Sequence, residues 1–273
     1  MTFMEKLNAV WKSSNSLVCV GLDPDVAKIP EHLRSAEHPL FEFNKGIIDA
    51  TKDQVCAYKP QIAYYAGLNY DEDLLMTIRY IQENAPQVPV ILDAKRADIG
   101  ATSQMYAKEA FERYQADAVT VNPYMGMDAL KPFLDHADKG VIILCRTSNP
   151  GAKEIQDIKL ENGEEMFMHV ARLASTSWNY NKNIALVAGA TFPEQLGAIR
   201  KVTGDMPLLV PGIGAQGGDI AAVMKNGLDS NGNGLMINSS RGIIYVSKGE
   251  DFAEAAGKAA KELRDSINAF RKM

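Results

Sequence analysis

The sequence predicts an α/β fold of the (β/α)8 TIM-barrel type, with residues 1–273 forming a single catalytic domain. Three observations carry this expectation. Eight short β-branched runs are spread along the whole chain, and segments of helical periodicity lie between them. The runs recur about every 31 residues, the period of parallel βαβ units. No stretch rich in Pro, Gly or Ser divides the chain, and its 273 residues suit one barrel of about 250 better than two domains.

The strands are expected at 17–22, 55–59, 89–94, 118–121, 140–145, 184–188, 207–210 and 234–237. Their apolar residues fall on both faces, as a sheet covered on both sides requires. Among the helices, Tyr106, Ala110, Phe111 and Tyr114 share one face, with Lys108, Glu109, Glu112 and Arg113 elsewhere. Over 251–270, Phe252, Ala255, Ala256, Ala259, Leu263 and Ile267 form one stripe.

Composition narrows the function. Hydrophobic residues make up 46% and charged residues 23%, which excludes a disordered chain, a collagen-like repeat or a disulfide-stapled miniprotein. With 29 basic and 34 acidic side chains the net charge is -5, so neither nucleic acid nor a membrane surface is an expected partner. Phosphate affinity must therefore be local. No apolar run approaches the roughly 18 residues of a membrane span. The first residues carry Glu5 early and do not read as a secretory leader. Cys19, Cys56 and Cys145 lie in apolar runs without metal-ligand spacing, as expected of buried, reduced thiols in a cytoplasmic protein.

A barrel places its chemistry at the C-terminal ends of its strands. At the third strand, Asp93 and Lys95 share a face by the period of two, continuing the side of Ile91. Facing inward, they cost several kcal/mol of desolvation unless paired or functional. One reading is a structural ion pair, with Asp98 capping the next helix. The other is a catalytic array whose carboxylates keep the ammonium protonated, as suits a proton donor rather than a Schiff-base nucleophile. Asp23, in Asp23-Pro24, ends the first strand and also fits an ordinary turn. Lys59 ends the second. After the seventh strand, 210–219 contains Pro211, Gly212 and Gln216 in a glycine-rich loop before a helix, and the eighth ends in Ser239-Ser240-Arg241. Together these loops form a phosphate-binding pair. The G-x-G pattern follows seven strands, so it lacks the context of a dinucleotide site.

The run from Asp93 to Gly100 resembles the Asp-x-Lys-x-x-Asp signature of the orotidine 5′-phosphate decarboxylases, most closely their longer bacterial (type 2) form. Ala97 stands where the common pattern there has Gly. The Arg146-Thr147-Ser148-Asn149-Pro150-Gly151 loop is similar to the family's pyrimidine-recognising loop, and the likeness runs over about residues 17–246 in the family's order. It implies conversion of orotidine 5′-monophosphate to uridine 5′-monophosphate and carbon dioxide in pyrimidine biosynthesis, without metal or organic cofactor. It also implies roles. Lys95 protonates carbon 6, and Asp93 and Asp98 hold and orient it. Asp23 and Lys59 meet the ribose. Ser148, or its neighbour Thr147 or Asn149, reads the base. Gln216 and Arg241 bind the phosphodianion, and Pro211, Gly212 and Ser240 also meet the nucleotide. A homodimer follows, with Asp98 and Thr102 entering the neighbouring subunit's site.

Two other readings remain open. One is a sugar-phosphate synthase or decarboxylase of the same suprafamily that uses Mg²⁺ to stabilise an enediolate. The other is a nucleotide-binding barrel without catalysis. His32, His38, His136 and His169 show no ligand spacing and read as surface or packing residues. Met166, Phe167, Met168 and Trp178 read as helix packing, and the charged insertion 154–165 reads as exposed.

Overall fold

The computed structural model of the chain describes residues 1–213 and 219–271. After helix α1 (Phe3–Ser13), strand and helix alternate: β1 (Val18–Leu22), α2 (Pro39–Thr51), β2 (Ala57–Pro60), α3 (Ala63–Ala66), α4 (Asp71–Asn84), β3 (Ile91–Arg96) and α5 (Gly100–Lys108). They continue through β4 (Ala118–Val121), α6 (Met127–Leu134), β5 (Gly140–Arg146), α7 (Met166–Ser175), β6 (Ile184–Ala188) and α8 (Pro193–Thr203). The last are β7 (Leu208–Pro211), α9 (Ile220–Gly227), β8 (Leu235–Ser239), α10 (Arg241–Ile244) and α11 (Phe252–Asn268).

All eight anticipated strands are present and pair in parallel, in the order β2-β1-β8-β7-β6-β5-β4-β3. Single parallel bridges, Tyr58 to Val90 and Gln61 to Asp93, draw β2 toward β3 and nearly close the barrel. β1, β2, β4 and β6 are buried along their whole lengths, as strands covered on both faces must be. β3 reaches Arg96, two residues past its anticipated end. Its ladder to β4 slips between Leu92 and Arg96 and then re-forms at Arg96 opposite Val121.

Outside the sheet, α2 packs between α4 and α11, where the ring of Phe43 stacks on Phe252 at 5.3 Å and on Tyr245 at 5.9 Å. The stripe on α11 behaves as anticipated, with Phe252, Ala256 and Ile267 buried and Ala255, Ala259 and Leu263 half-buried. The anticipated face of Tyr106, Ala110, Phe111 and Tyr114 is not carried by one continuous α-helix. α5 stops at Lys108, and a π-helical turn, Glu109–Arg113, follows it.

The opposite end of the barrel is covered by α1. A capping box starts this helix: the Glu5 N–H donates to Thr2 Oγ1 at 3.2 Å, and the Thr2 N–H donates to the Glu5 carboxylate at 2.8 Å. Its buried face is Phe3, Leu7, Val10 and Trp11. The Phe3 N–H donates to the Asp138 carbonyl, Lys6 Nζ to Asp117 Oδ2 and Trp11 Nε1 to the Leu235 carbonyl. These groups begin or precede β5, β4 and β8, so α1 lies across the N-terminal ends of the strands. Among the described residues no helix is long and apolar enough to cross a membrane. The three cysteines are free and buried, and burial pushes the thiols of Cys19 and Cys145 up to about 12.

Candidate active site

At the C-terminal end of the barrel, Asp93 is the hub. Lys59 Nζ donates to its Oδ2 at 3.0 Å, Lys95 Nζ donates to its Oδ1 at 2.6 Å, and the Thr120 hydroxyl donates to Oδ1 at 2.8 Å. Burial pushes the Asp93 carboxyl up, but the Lys59 and Lys95 ammonium groups and these hydrogen bonds outweigh it and hold the carboxyl well below the usual carboxylate range. Burial likewise disfavours a charged Lys59. The carboxylates of Asp93 and of Asp23, whose Oδ1 lies 4.0 Å away, hold its ammonium above the ordinary lysine range. The two lysines differ in access: the Lys59 side chain is 6% exposed and that of Lys95 is 46% exposed. Lys95 is the ammonium a ligand can reach.

Lys95 departs from plain strand geometry. Its φ is +47°, a left-handed conformation that costs a residue with a Cβ about 1–2 kcal/mol. The slip in the β3–β4 ladder accommodates it. Asp93 and Lys95 therefore meet through a bulge, and not through the simple alternation that the sequence suggested. Next in the chain, Arg96 makes a two-pronged ion pair with Glu109, at 2.8 and 3.0 Å, and its guanidinium lies 4.8 Å over the Tyr106 ring. Glu109 opens the π-helical turn, so that turn ties α5 to the end of β3.

A cavity of about 400 Å³ opens beside this cluster. It brings together Asp23, Pro211, Gly212, Ser240 and Arg241, five of the anticipated residues. Lys28, Tyr64 and Tyr245 also line it, and nothing in their local sequence had marked them. Among the described residues, Asp23 Oδ1 and Ser240 Oγ are shielded from water and make no hydrogen bond. Buried polar atoms without partners are costly in a resting protein, and these two face a cavity. Gly21 allows β1 and the β8 loop to approach this closely, because a Cβ there would come within 2.9 Å of the Ser240 Cβ. Gln216 lies outside the described residues.

The loop after β5 is fixed from below. Arg146 is 1% exposed, its Nε lies 2.9 Å from Asp157 Oδ1, and its guanidinium carbon sits 4.0 Å from the centre of the Phe192 ring. The Thr147 N–H donates to Gln156 Oε1 at 2.8 Å, and the Thr147 hydroxyl donates to Asn149 Oδ1 at 2.6 Å. Ser148 stands between these two occupied neighbours, against Gly189, where a Cβ would meet the Ser148 backbone at 3.0 Å. Two residues of the charged insertion, Gln156 and Asp157, thus turn inward to support the loop, while most of the rest is exposed as anticipated.

Two anticipated residues do not join the cluster within one chain. Asp98 Oδ1 accepts the N–H of Ile99 at 2.8 Å and makes no ion pair among the described residues, and Thr102 is exposed on α5. The histidines stand apart from the site: His38 pairs with Asp73 at 2.9 Å and His136 lies against Phe111. Phe167 and Trp178 are in the core. No group of three or more His, Cys, Asp and Glu side chains that could hold a metal occurs among the described residues. Thr120 was missed, although it is the one polar residue in the apolar run Ala118–Val121, and a polar group in a strand covered on both faces needs a partner.

A sequence model of the "Orotidine 5'-phosphate decarboxylase / HUMPS family" matches residues 16–256. The chain is 56% identical over 271 residues to an orotidine 5′-phosphate decarboxylase of Dechloromonas aromatica, covering 99% of this chain and 100% of that one. It is 55% identical to one of Ralstonia pickettii over 99% and 100% of the two chains. The solved structure of Leishmania donovani OMP decarboxylase superposes with a TM-score of 0.84 at 37% identity, over 99% of both chains. The cluster around Asp93, the cavity beside it and these likenesses lead to one conclusion: the chain belongs to the orotidine 5′-phosphate decarboxylase / HUMPS family.

Proposed function

We propose that the chain, acting as one catalytic domain, converts orotidine 5′-monophosphate to uridine 5′-monophosphate and carbon dioxide, the last step in building a pyrimidine nucleotide. The bond between carbon 6 and the carboxylate breaks, carbon dioxide leaves, and the electron pair stays on carbon 6. The Lys95 ammonium stabilises that charge and gives its proton to the carbon, and the neutral amine regains a proton from water. The observation that carries this reading is the reachable ammonium of Lys95 on a buried Asp93, whose ionised form Lys59 secures.

The other roles follow the cavity. Asp23 and Lys59 meet the ribose, and the unpartnered Ser240 Oγ, Arg241, Pro211, Gly212 and Gln216 receive the phosphorylated end. Ser148 reads the base, since Thr147 and Asn149 are bound to each other. One preorganised donor supplies about 3–4 kcal/mol of the roughly 8–23 kcal/mol that enzymes provide, so binding energy from the phosphate end must supply much of the remainder. A homodimer completes the site, with Asp98 and Thr102 reaching the partner subunit's Lys95 region. The exposed Ile99 just before α5, Met105 on α5, and Tyr124 and Met125 after β4 support such an interface. The reduced, buried cysteines suit a cytoplasmic enzyme.

The test is the ultraviolet decay of orotidine 5′-monophosphate with a chelator present. Full decay with wild type and none with Lys95→Ala, which still binds uridine 5′-monophosphate, is the expected result. Chelator-sensitive turnover favours the Mg²⁺-dependent sugar-phosphate chemistry of the suprafamily. Nucleotide binding without decay favours a non-catalytic barrel.

A further inference from the structure

The hydroxyl of Thr120 is used three times. It accepts the N–H of Ala94 and the N–H of Lys95, each at 3.0 Å, and donates to Asp93 Oδ1 at 2.8 Å. A hydroxyl has one hydrogen and two lone pairs, so this one is saturated. Its three partners belong to consecutive residues, 93 to 95, which stand opposite Thr120 alone where the β3–β4 ladder slips. The bulge deprives two backbone N–H groups of ladder partners in a half-buried place, and Thr120 takes both. Lys95, at φ +47°, holds a conformation that persists only where the surroundings over-determine it.

We infer that Thr120 is a positioning residue for the reaction, its hydroxyl locking the bulge that aims the Lys95 side chain at Asp93 and the reacting carbon. It fixes the base of the Lys95 side chain through the backbone and the tip through Asp93. Both ends of the lysine thus answer to one oxygen on a neighbouring strand. Thr120 itself is 1% exposed and takes no part in binding. The inference rests on the reading of Lys95 as the proton donor.

Thr120→Val keeps the side-chain shape and removes all three hydrogen bonds, while Thr120→Ser keeps the hydroxyl. A displacement of about 1 Å costs on the order of a hundredfold in rate, so Thr120→Val is expected to lose about ten- to a hundredfold in kcat. Its affinity for uridine 5′-monophosphate should stay near that of wild type, and Thr120→Ser should recover most of the rate. Wild-type kcat in folded Thr120→Val overturns the inference. So does an equal loss of kcat and nucleotide affinity, which marks a general packing role. If Thr120→Val does not fold, Thr120→Ala is judged by the same two outcomes. Lys95→Ala, assayed alongside, separates the failures. Turnover retained there removes the proton-donor reading and this inference with it, whereas inactive Lys95→Ala beside full-speed Thr120→Val removes this inference alone.

Discussion

Asp93 carries one negative charge between two ammonium groups, and the pair is lopsided by design of the fold: Lys59 is buried and Lys95 is reachable. Lys59 therefore acts on Asp93 electrostatically, keeping its carboxylate ionised. Neutralising Asp93 leaves Lys59 without its nearest counter-charge, and breaking a buried pair costs about 3–5 kcal/mol. Asp93→Asn is expected to lose stability of that order at pH 7, measured by denaturant unfolding. The carboxyl sits below its ordinary value of 3.8, so its contribution is complete above about pH 4 and disappears as the pH falls through the lowered value. The stability gap between wild type and Asp93→Asn should accordingly narrow below pH 4; a gap that stays constant down to pH 2 contradicts this account. The pairing of Asp93 and Lys95 was suggested in the sequence by the cost of inward charge, whereas the bulge through which they meet was not. Lys59 was not legible, because a lone lysine at a strand end looks the same whether it meets water or a buried carboxylate on the next strand.

At the scale of elements, strand-end loops are supported from outside the barrel mouth. The insertion after β5 carries Asp157, whose carboxylate balances the buried Arg146, and Gln156, which holds Thr147 beside Ser148. Hydrogen bonds to charged groups contribute about 1.5–3 kcal/mol, so Asp157→Asn should destabilise the protein by about 2 kcal/mol in a thermal melt. It should also raise KM for the nucleotide more than it lowers kcat, since in the proposed function the loop it supports reads the base. An unchanged melting temperature would show that the Phe192 ring and the Thr147 carbonyl suffice for Arg146. The insertion gave no sign of this in sequence: its composition is that of a solvated loop, and nothing in it sets Gln156 and Asp157 apart. The π-helical turn at Glu109–Arg113 was equally hidden. It widens a single turn, and Ala110, Phe111 and Tyr114 stay on a buried face with or without it. By contrast, β4 and β6 were legible to the residue: Asp117 and Asn122 bracket β4, and Asn183 and Gly189 bracket β6.

For the whole molecule, eight apolar runs alternating with helical segments were enough to identify the barrel, since that alternation and parallel pairing leave few other topologies for a chain of this length. Assembly is a different matter. Asp98 and Thr102 do not join their own chain's Lys95 cluster, and the proposed dimer is testable by mixing two inactive proteins. Combined Lys95→Ala and Asp98→Ala should regain up to about a quarter of wild-type activity per subunit under random exchange, because one of the two sites in each mixed dimer is intact. No recovery in mixtures shown to exchange subunits would remove the shared site.

The helix across the strand N-termini bears on how the protein is made. Trp11 meets the carbonyl of Leu235, and β1 pairs with β8. Neither contact exists until almost the entire polypeptide has left the ribosome. At roughly 5–20 residues per second, Trp11 waits about 10–45 s for β8, although Phe3 at the other end of the buried face meets Gly140 sooner. The Trp11 corner of α1 is thus made some 224 residues before its partner strand and is closed only when β8 takes its place in the sheet.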